Sequence, residues 1–144
     1  MTRYSLLAVP PAAVTIALAV LVGTELAGSH PLTWGEPRSV PEAIALRDGA
    51  GAARLLEDGA GINEIGLIRA GILSPQPVLA TPLEAAVLVD AATMFDYLGR
   101  HGAPVTPDVS CLARDVGARA VGTHIADAPS CPPGAALHAV LDRP

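Results

Sequence analysis

The stretch 81–103, TPLEAAVLVDAATMFDYLGRHGA, holds the clearest helix pattern in the chain. Its apolar residues recur at the i, i+3, i+4 spacing that places side chains on one face of a helix. Two groups show this spacing: Leu83, Ala86 and Val87, followed by Met94, Phe95 and Leu98. The stretch therefore predicts two short, one-sided helices that are separated by a turn and closed by a glycine.

A second copy of this unit lies earlier in the chain. The segment 42–63, EAIALRDGAGAARLLEDGAGIN, aligns with the first when Gly59-Ala60 is matched to Gly102-Ala103. The apolar positions then coincide: Ala43 with Ala86, Ile44 with Val87, Ala52 with Phe95, and Leu55 with Leu98. Each copy is expected to form a pair of helices that cannot bury its apolar face alone.

A third, weaker copy runs through 108–128, and the end of the chain adds one more short helix as an end cap. The predicted apolar face of the third copy consists of Cys111, Leu112 and Val116 on its first helix and Val121, His124 and Ile125 on its second. Aromatic residues make up only 3% of the chain, so the core must be built from small aliphatic side chains packed closely.

The unit at 81–103 resembles an ankyrin repeat. The residues that carry the resemblance are Thr81-Pro82-Leu83, Ala85-Ala86, Leu98 and His101-Gly102-Ala103, together with LLEDGA at 55–60 in the copy at 42–63. The resemblance implies that Thr81 caps the first helix, that Pro82 occupies its first turn, and that Gly102 ends the second helix with a positive φ. It also implies a stack of helix pairs whose concave side binds another protein.

Three departures from the family pattern stand out. Glu84 lies where the family usually has His, and Asp90-Ala91 lies where a turn containing Gly is usual. The copies are spaced 43 residues apart instead of the usual 33 or so. The extra residues fall in 64–80, so we expect an enlarged loop there, with room for a short strand or hairpin, projecting between the first two repeats.

The N-terminal segment, 1–28, contains 21 consecutive uncharged residues between Arg3 and Glu25. As a helix they would span about 30 Å, the thickness of a bilayer core. A retained signal anchor is favoured because this stretch exceeds the usual apolar length of a signal peptide. The alternatives are a signal peptide cleaved near Ala27 and Ser29, with secretion of the remainder, and a buried helix of a soluble core.

The charges around this segment favour export of the C-terminal part. Arg3 precedes the span, whereas Glu25 and Glu36 outnumber Arg38 after it, so the N-terminus is predicted to be cytoplasmic and the repeat domain extracytoplasmic. The region 29–40 is rich in Pro and Gly and is predicted to be a linker. The repeat domain is then 41–144, and the fold class is all-α, with about three ankyrin-like repeats behind one transmembrane or signal-anchor helix.

Composition and spacing argue against several functions. A net charge of -5 and only nine unclustered Lys and Arg provide no basic surface for nucleic acid. Two cysteines, Cys111 and Cys131, are either bridged or unpaired, and the sequence leaves both possibilities open. They lack the spacing of a zinc or redox motif. No Gly-rich phosphate loop is present, so no cofactor is predicted.

Candidate catalytic residues are few. Only Cys111, His124 and Asp127 suggest a nucleophile, a base and an acid, and Cys111 falls on an apolar helix face. His101, His124 and His138 have neither the i, i+4 spacing nor the carboxylate cluster of a metal site. We therefore predict no catalytic residue and no metal ligand, and we expect the protein not to be an enzyme.

Four charged residues near the first helices are the candidates for partner contact, although such residues often only solvate a helix face. They are Arg47, Asp48, Glu84 and Asp90. The sequence thus predicts a membrane-anchored ankyrin-repeat protein that mediates protein–protein interaction on the exported side. The alternatives are a structural subunit that associates through its N-terminal helix and a small Cys/His-dependent enzyme.

Overall fold

The structure, a computed structural model, is described here for residues 35–125 and 131–143. The predicted anchor, 1–28, lies outside these ranges, as do residues 29–34 of the predicted linker. Within the described ranges, no helix has both the length and the apolar character needed to cross a membrane. All elements described below belong to the unit Pro37–Pro144.

The described part of the chain is mostly helical, as the sequence predicts, with one short β-hairpin. Its elements are α1 Val40–Ala45, α2 Gly49–Glu57, β1 Gly66–Ile68, β2 Val78–Ala80, α3 Pro82–Leu88, α4 Ala92–Arg100, α5 Pro107–Asp115, α6 Arg119–Gly122 and α7 Ala135–Leu141. We call α1 with α2 pair 1, α3 with α4 pair 2, and α5 with α6 pair 3. The hairpin is the only departure from an all-α class in the described residues.

The helix pairs lie side by side. The first helices form a row in which α1 packs on α3 and α3 packs on α5, and the second helix α4 packs on α6. Helix α3 is covered from both sides, so six of its seven residues are buried. Ala43, Ala85 and Ala86 have no exposed surface, and such small side chains let neighbouring helices approach closely.

One local signal begins all three first helices. The hydroxyls of Ser39, Thr81 and Thr106 each accept a hydrogen bond from the backbone N–H three residues later. A proline follows each hydroxyl in the first turn, where its missing N–H costs little. At Thr81 the cap is reciprocal, because the Glu84 carboxylate accepts the Thr81 N–H in turn. The predicted cap at Thr81 is confirmed.

One backbone motif ends the first five helices. The second residue after the helix takes a positive φ, its N–H donates to the carbonyl three residues back, and the next N–H donates to the carbonyl five residues back. These positions are Arg47, Gly59, Asp90, Gly102 and Gly117. The predicted positive φ of Gly102 is confirmed at 97°. Arg47 and Asp90 adopt the same conformation although they carry side chains, which costs about 1–2 kcal/mol per residue.

The hairpin lies within the predicted loop 64–80. Strands β1 and β2 are antiparallel, with Gly66 opposite Ala80 and Ile68 opposite Val78. Strand β1 packs on α1, and β2 packs on α7. A Cβ atom on Gly66 would lie 2.7 Å from the Ser39 Cβ, so a glycine is required where β1 meets the start of α1.

The third pair corrects a detail of the sequence prediction. Helix α6 has only four residues and ends at Gly122, so His124 and Ile125 lie beyond it. On α5, Cys111 is half-buried, whereas the buried positions are Val109, Ser110, Leu112 and Ala113. The C-terminal helix α7 is present as expected, and it packs on α5 and on β2.

Candidate functional site

Arg47 and Asp90, two of the four predicted contact residues, occupy equivalent positions. Each follows the first helix of its pair, with φ values of 59° for Arg47 and 50° for Asp90. Non-glycine residues are uncommon in this region of backbone space. Their side chains both reach toward the following pair, but they bind opposite kinds of backbone group.

Asp90 caps the second helix of pair 3. Its carboxylate accepts hydrogen bonds from the N–H of Val121 at 3.0 Å and of Ala120 at 3.2 Å. The residue before that helix, Ala118, provides no side-chain cap of its own. The Val121 hydrogen bond is the main reason that the pKa of Asp90 lies below its ordinary value of 3.8, and the Ala120 bond lowers it further. Asp90 therefore joins pair 2 to pair 3.

Arg47 joins pair 1 to pair 2 by a different contact. Its guanidinium donates a hydrogen bond of 2.6 Å to the Val89 carbonyl, at the C-terminal end of α3. A cation is favourable there because the carbonyls at a helix end carry partial negative charge. The side chain is exposed.

Asp48 has a structural role within pair 1. Its carboxylate caps α2 by accepting the Gly51 N–H at 2.8 Å. The equivalent residue in pair 2 is Ala91, whose backbone angles of -93° and 77° match the -87° and 79° of Asp48. Helix α4 consequently begins with no side-chain cap.

Glu84 is buried, which corrects the expectation that it lies on an exposed contact surface. The residue is only 9% exposed. Its carboxylate accepts the Thr81 N–H at 2.7 Å and a bidentate pair of bonds from Arg143 at 2.9 and 3.1 Å. Burial alone would raise the pKa of Glu84, but the bonds from Arg143 and Thr81 outweigh it and leave the pKa below its ordinary value of 4.5.

A related arrangement occurs in pair 1, and it was not predicted from the sequence. Glu42 stands at the position of Glu84, and its side chain has no exposed surface. It forms an ion pair with Arg69, from the segment after β1, and accepts the Arg38 N–H at 2.8 Å. A glutamate three residues after a capping Ser or Thr is the sequence signal common to both sites.

A groove opens between α2 and α4 on the side of the second helices. Its volume is about 400 Å³. It is lined by Ile44, Arg47, Gly49, Ala53, Ala91, Thr93, Met94 and Tyr97. We call it the α2–α4 groove. Among the predicted contact residues only Arg47 lines it, and the sequence pattern alone gave no indication of it.

Two of the candidate catalytic residues, Cys111 and His124, have other partners in the structure. Cys111 forms a disulfide with Cys131, with Cα atoms 5.7 Å apart, so it carries no free thiol. The Arg114 guanidinium binds the Cys131 carbonyl at 2.7 Å. His124 Nδ1 lies 2.9 Å from Asp96 Oδ1. Asp127, the third residue of the predicted set, lies outside the described residues.

The other two histidines considered as metal ligands, His101 and His138, make local contacts. His101 Nδ1 lies 2.7 Å from the Tyr97 carbonyl, and the two rings are in contact. His138 lies beside Asp142 on the exposed surface of α7. Residues 35–125 and 131–143 contain no group of three or more His, Cys, Asp or Glu side chains arranged to hold a metal ion.

The chain was compared with protein families, with curated proteins and with solved structures. No family model, no curated protein and no solved structure matches the chain. The function must therefore be argued from the packing, hydrogen bonds and charges described above.

Proposed function

We propose that this chain is a short ankyrin-like repeat protein that binds another protein. In this proposal the segment 1–28 anchors it in a membrane and the repeat domain, 41–144, faces the exported side. The chain acts as a binding module, without a cofactor and without a catalytic reaction. Its partner is a protein rather than a nucleic acid.

One observation carries the proposal: three helix pairs lie in a row, and each begins with a Ser or Thr cap and a proline in the first turn. Such a row orders a continuous surface before any partner arrives, so binding does not have to order it. A surface of this kind needs no reactive side chain. This fits a chain whose charged residues near the first helices mainly cap helices or join pairs.

The pairing of Cys111 with Cys131 supports this choice over the alternative of a small Cys/His-dependent enzyme. A nucleophilic cysteine must be a thiolate, and a disulfide sulfur is not one. An oxidised pair also suits an exported domain, because disulfides persist in oxidising compartments.

A site-specific cross-linking experiment tests the proposal on the intact, membrane-embedded protein. A photoreactive residue is placed in turn at exposed positions of the repeat domain, such as Leu67 and Thr93, and within 1–28. We expect a defined protein to be cross-linked from the repeat domain. Cross-links from 1–28 alone would favour the other candidate function, a structural subunit that associates through its N-terminal helix.

The location is tested by thiol labelling with a membrane-impermeant reagent. Cys111 and Cys131 should react from the exported side only after reduction. Labelling of both from the cytoplasmic side would overturn the proposed orientation.

A further inference from the structure

We propose that the α2–α4 groove binds a peptide segment of the partner in which a bulky aliphatic side chain stands next to a carboxylate. This inference rests on the proposed function, since it assumes a protein partner. It places the contact on the second-helix side of the row, away from the first helices that the sequence analysis favoured.

The shape and lining of the groove suit an aliphatic side chain. Its volume of about 400 Å³ falls in the range of about 300–1,000 Å³ that is typical of ligand sites. Ile44 closes one wall and is itself almost completely buried, while Met94 and Tyr97 contribute apolar surface from α4. A methionine adapts its shape to different occupants because its side chain is unbranched and flexible.

Small residues keep the groove open. Gly49 and Ala53 face it from α2, and Ala91 lines it at the start of α4. The neighbouring second helices behave differently, because α4 packs directly on α6. We call the contact region between two successive helix pairs a joint. The groove is therefore a feature of the joint between pairs 1 and 2.

The charge at the rim of the groove selects an anion. Arg47 is exposed, and its guanidinium has five N–H donors. The Nη2 nitrogen donates to the Val89 carbonyl. Asp90 interacts electrostatically with Arg47, but its own oxygens accept the Ala120 and Val121 amides. A carboxylate from a partner would meet the remaining donors of Arg47 at the edge of the apolar surface.

At the joint between pairs 2 and 3, the residue equivalent to Arg47 is Asp90, so the chain itself supplies a carboxylate there. There Asp90 supplies the anion and binds backbone donors of the next pair. At the joint between pairs 1 and 2 the equivalent residue is the cation Arg47. Asp90 interacts with Arg47 electrostatically, but the anion that binds the remaining donors of Arg47 is expected to come from another molecule.

Methionine methyl NMR on the full chain measures binding directly. The chain has two methionines, Met1 and Met94, so one of only two signals reports on the groove. The probe is a short Gly/Ser peptide with a central Leu-Leu-Glu, and the control peptide carries Leu-Leu-Lys. We expect the Glu peptide to shift the Met94 signal and to bind about threefold more tightly than the Lys peptide, as an exposed ion pair allows.

Two variants test the charge. Arg47→Asp should reverse the preference in favour of the Lys peptide, and Asp90 shows that this backbone position accepts aspartate. Arg47→Asn should remove the preference, whereas the matched change Arg119→Asn on α6 should leave it intact. A preference that does not depend on Arg47 would overturn the proposal.

A third variant tests the groove itself. A Cβ atom on Gly49 would lie 3.5 Å from the Met94 Cε, an ordinary contact, so the longer side chain of Gly49→Leu should enter the groove and abolish peptide binding. Gly99→Leu is the control, because a Cβ atom there meets open space. Far-UV circular dichroism of both variants establishes that they remain folded.

The outcomes separate this inference from the proposed function. If Gly49→Leu still cross-links to its partner through the repeat domain at the wild-type level, the groove is not the contact site and the proposed function stands. If Met94 responds to the Glu peptide but no protein is cross-linked from the repeat domain, the proposed function fails. Binding of octanoate but of neither peptide would assign the groove to small carboxylates and overturn the peptide proposal.

Discussion

The two joints between successive helix pairs use the same backbone position in opposite ways. At the joint between pairs 2 and 3, Asp90 makes two hydrogen bonds to the start of α6. At the joint between pairs 1 and 2, Arg47 makes one exposed bond to the end of α3, and a groove remains beside it. The two residues have the same backbone conformation, so their side chains leave the chain at equivalent positions. The charge of the side chain then decides whether it binds the carbonyls at the end of a helix or the N–H groups at the start of one.

The largest expected effect concerns the buried glutamates, which differ between pairs 1 and 2 in exposure. Glu42→Ala should lower the free energy of unfolding by about 3 kcal/mol, because it leaves Arg69 without its buried carboxylate. Glu84→Ala should cost about 2 kcal/mol, because the Glu84 side chain is 11% exposed whereas that of Glu42 has no exposed surface. Urea denaturation measures both changes. The exposed Glu57→Ala is the control, with an expected change below about 0.5 kcal/mol.

A larger loss for Glu84→Ala than for Glu42→Ala would show that pair 2 depends more on its buried ion pair than pair 1 does. That result would contradict the expectation that the more deeply buried glutamate, Glu42, contributes more to stability.

Acidification should destabilise the repeat domain, in part by weakening the joint between pairs 2 and 3. The pKa values of Glu84, Asp90 and Asp115 lie below their ordinary values of 4.5, 3.8 and 3.8. The pKa of Asp115, the last residue of α5, is lowered mainly by a backbone hydrogen bond from Gly134, and its carboxylate also accepts the Ala136 N–H at 3.2 Å. The folded state therefore binds fewer protons than the unfolded state, so the stability from these groups is present above the ordinary values and is lost as pH falls through the folded values. Urea denaturation at about pH 6 and pH 3 should show this loss.

The variant Asp90→Asn isolates the contribution of the joint to this acid sensitivity. Its amide oxygen can still accept a backbone N–H but does not titrate, so the loss between the two pH values should be smaller than in the wild type. If the loss of stability between the two pH values were as large in Asp90→Asn as in the wild type, the hydrogen bonds to α6 would not lower the pKa of Asp90 as the structure indicates.

The helix caps of pairs 1 and 2 should respond with opposite signs. Asp48→Ala removes the cap of α2 and should destabilise the protein by about 1 kcal/mol. Ala91→Asp adds a cap to α4 on a backbone of the same conformation and should stabilise it by a similar amount. Thermal unfolding of the two variants measures the pair of shifts. A destabilised Ala91→Asp protein would show that the two helix starts are not equivalent.

The smallest effect is expected at Arg47. Arg47→Gly relieves the positive φ but removes an exposed hydrogen bond and increases the freedom of the unfolded chain, so stability should change by less than about 0.5 kcal/mol. Asp90→Gly brings the same relief but leaves two N–H groups of α6 without their acceptor, and it should be destabilising. Urea denaturation of both variants measures these changes. A larger loss of stability in Arg47→Gly than in Asp90→Gly would contradict the view that Asp90 makes the stronger contact between pairs.

The elements that the sequence predicted well depend on neighbouring residues. The start of α3 at Thr81, the end of α4 at Gly102 and the apolar face of α3 are each specified within one or two turns of helix. The sequence predicted an enlarged loop with room for a short strand or hairpin, but it did not locate the strands, because three-residue strands carry too little pattern to identify.

The features that the sequence did not predict depend on distant residues. Glu84 and Arg143 are 59 positions apart, so no local pattern revealed that the glutamate is buried. The α2–α4 groove arises from the separation of two helices, which hydrophobic spacing does not encode. The shortness of α6 was missed because the helix period continues past Gly122 while the helix itself ends there.

The most direct test of the side-by-side arrangement is a methyl–methyl NOE experiment on the full chain with labelled Ala, Ile, Leu and Val. The account predicts NOEs between methyl groups of α1 and α3, and between those of α3 and α5. A spectrum of the folded protein in which α3 shows NOEs to neither α1 nor α5 would contradict it.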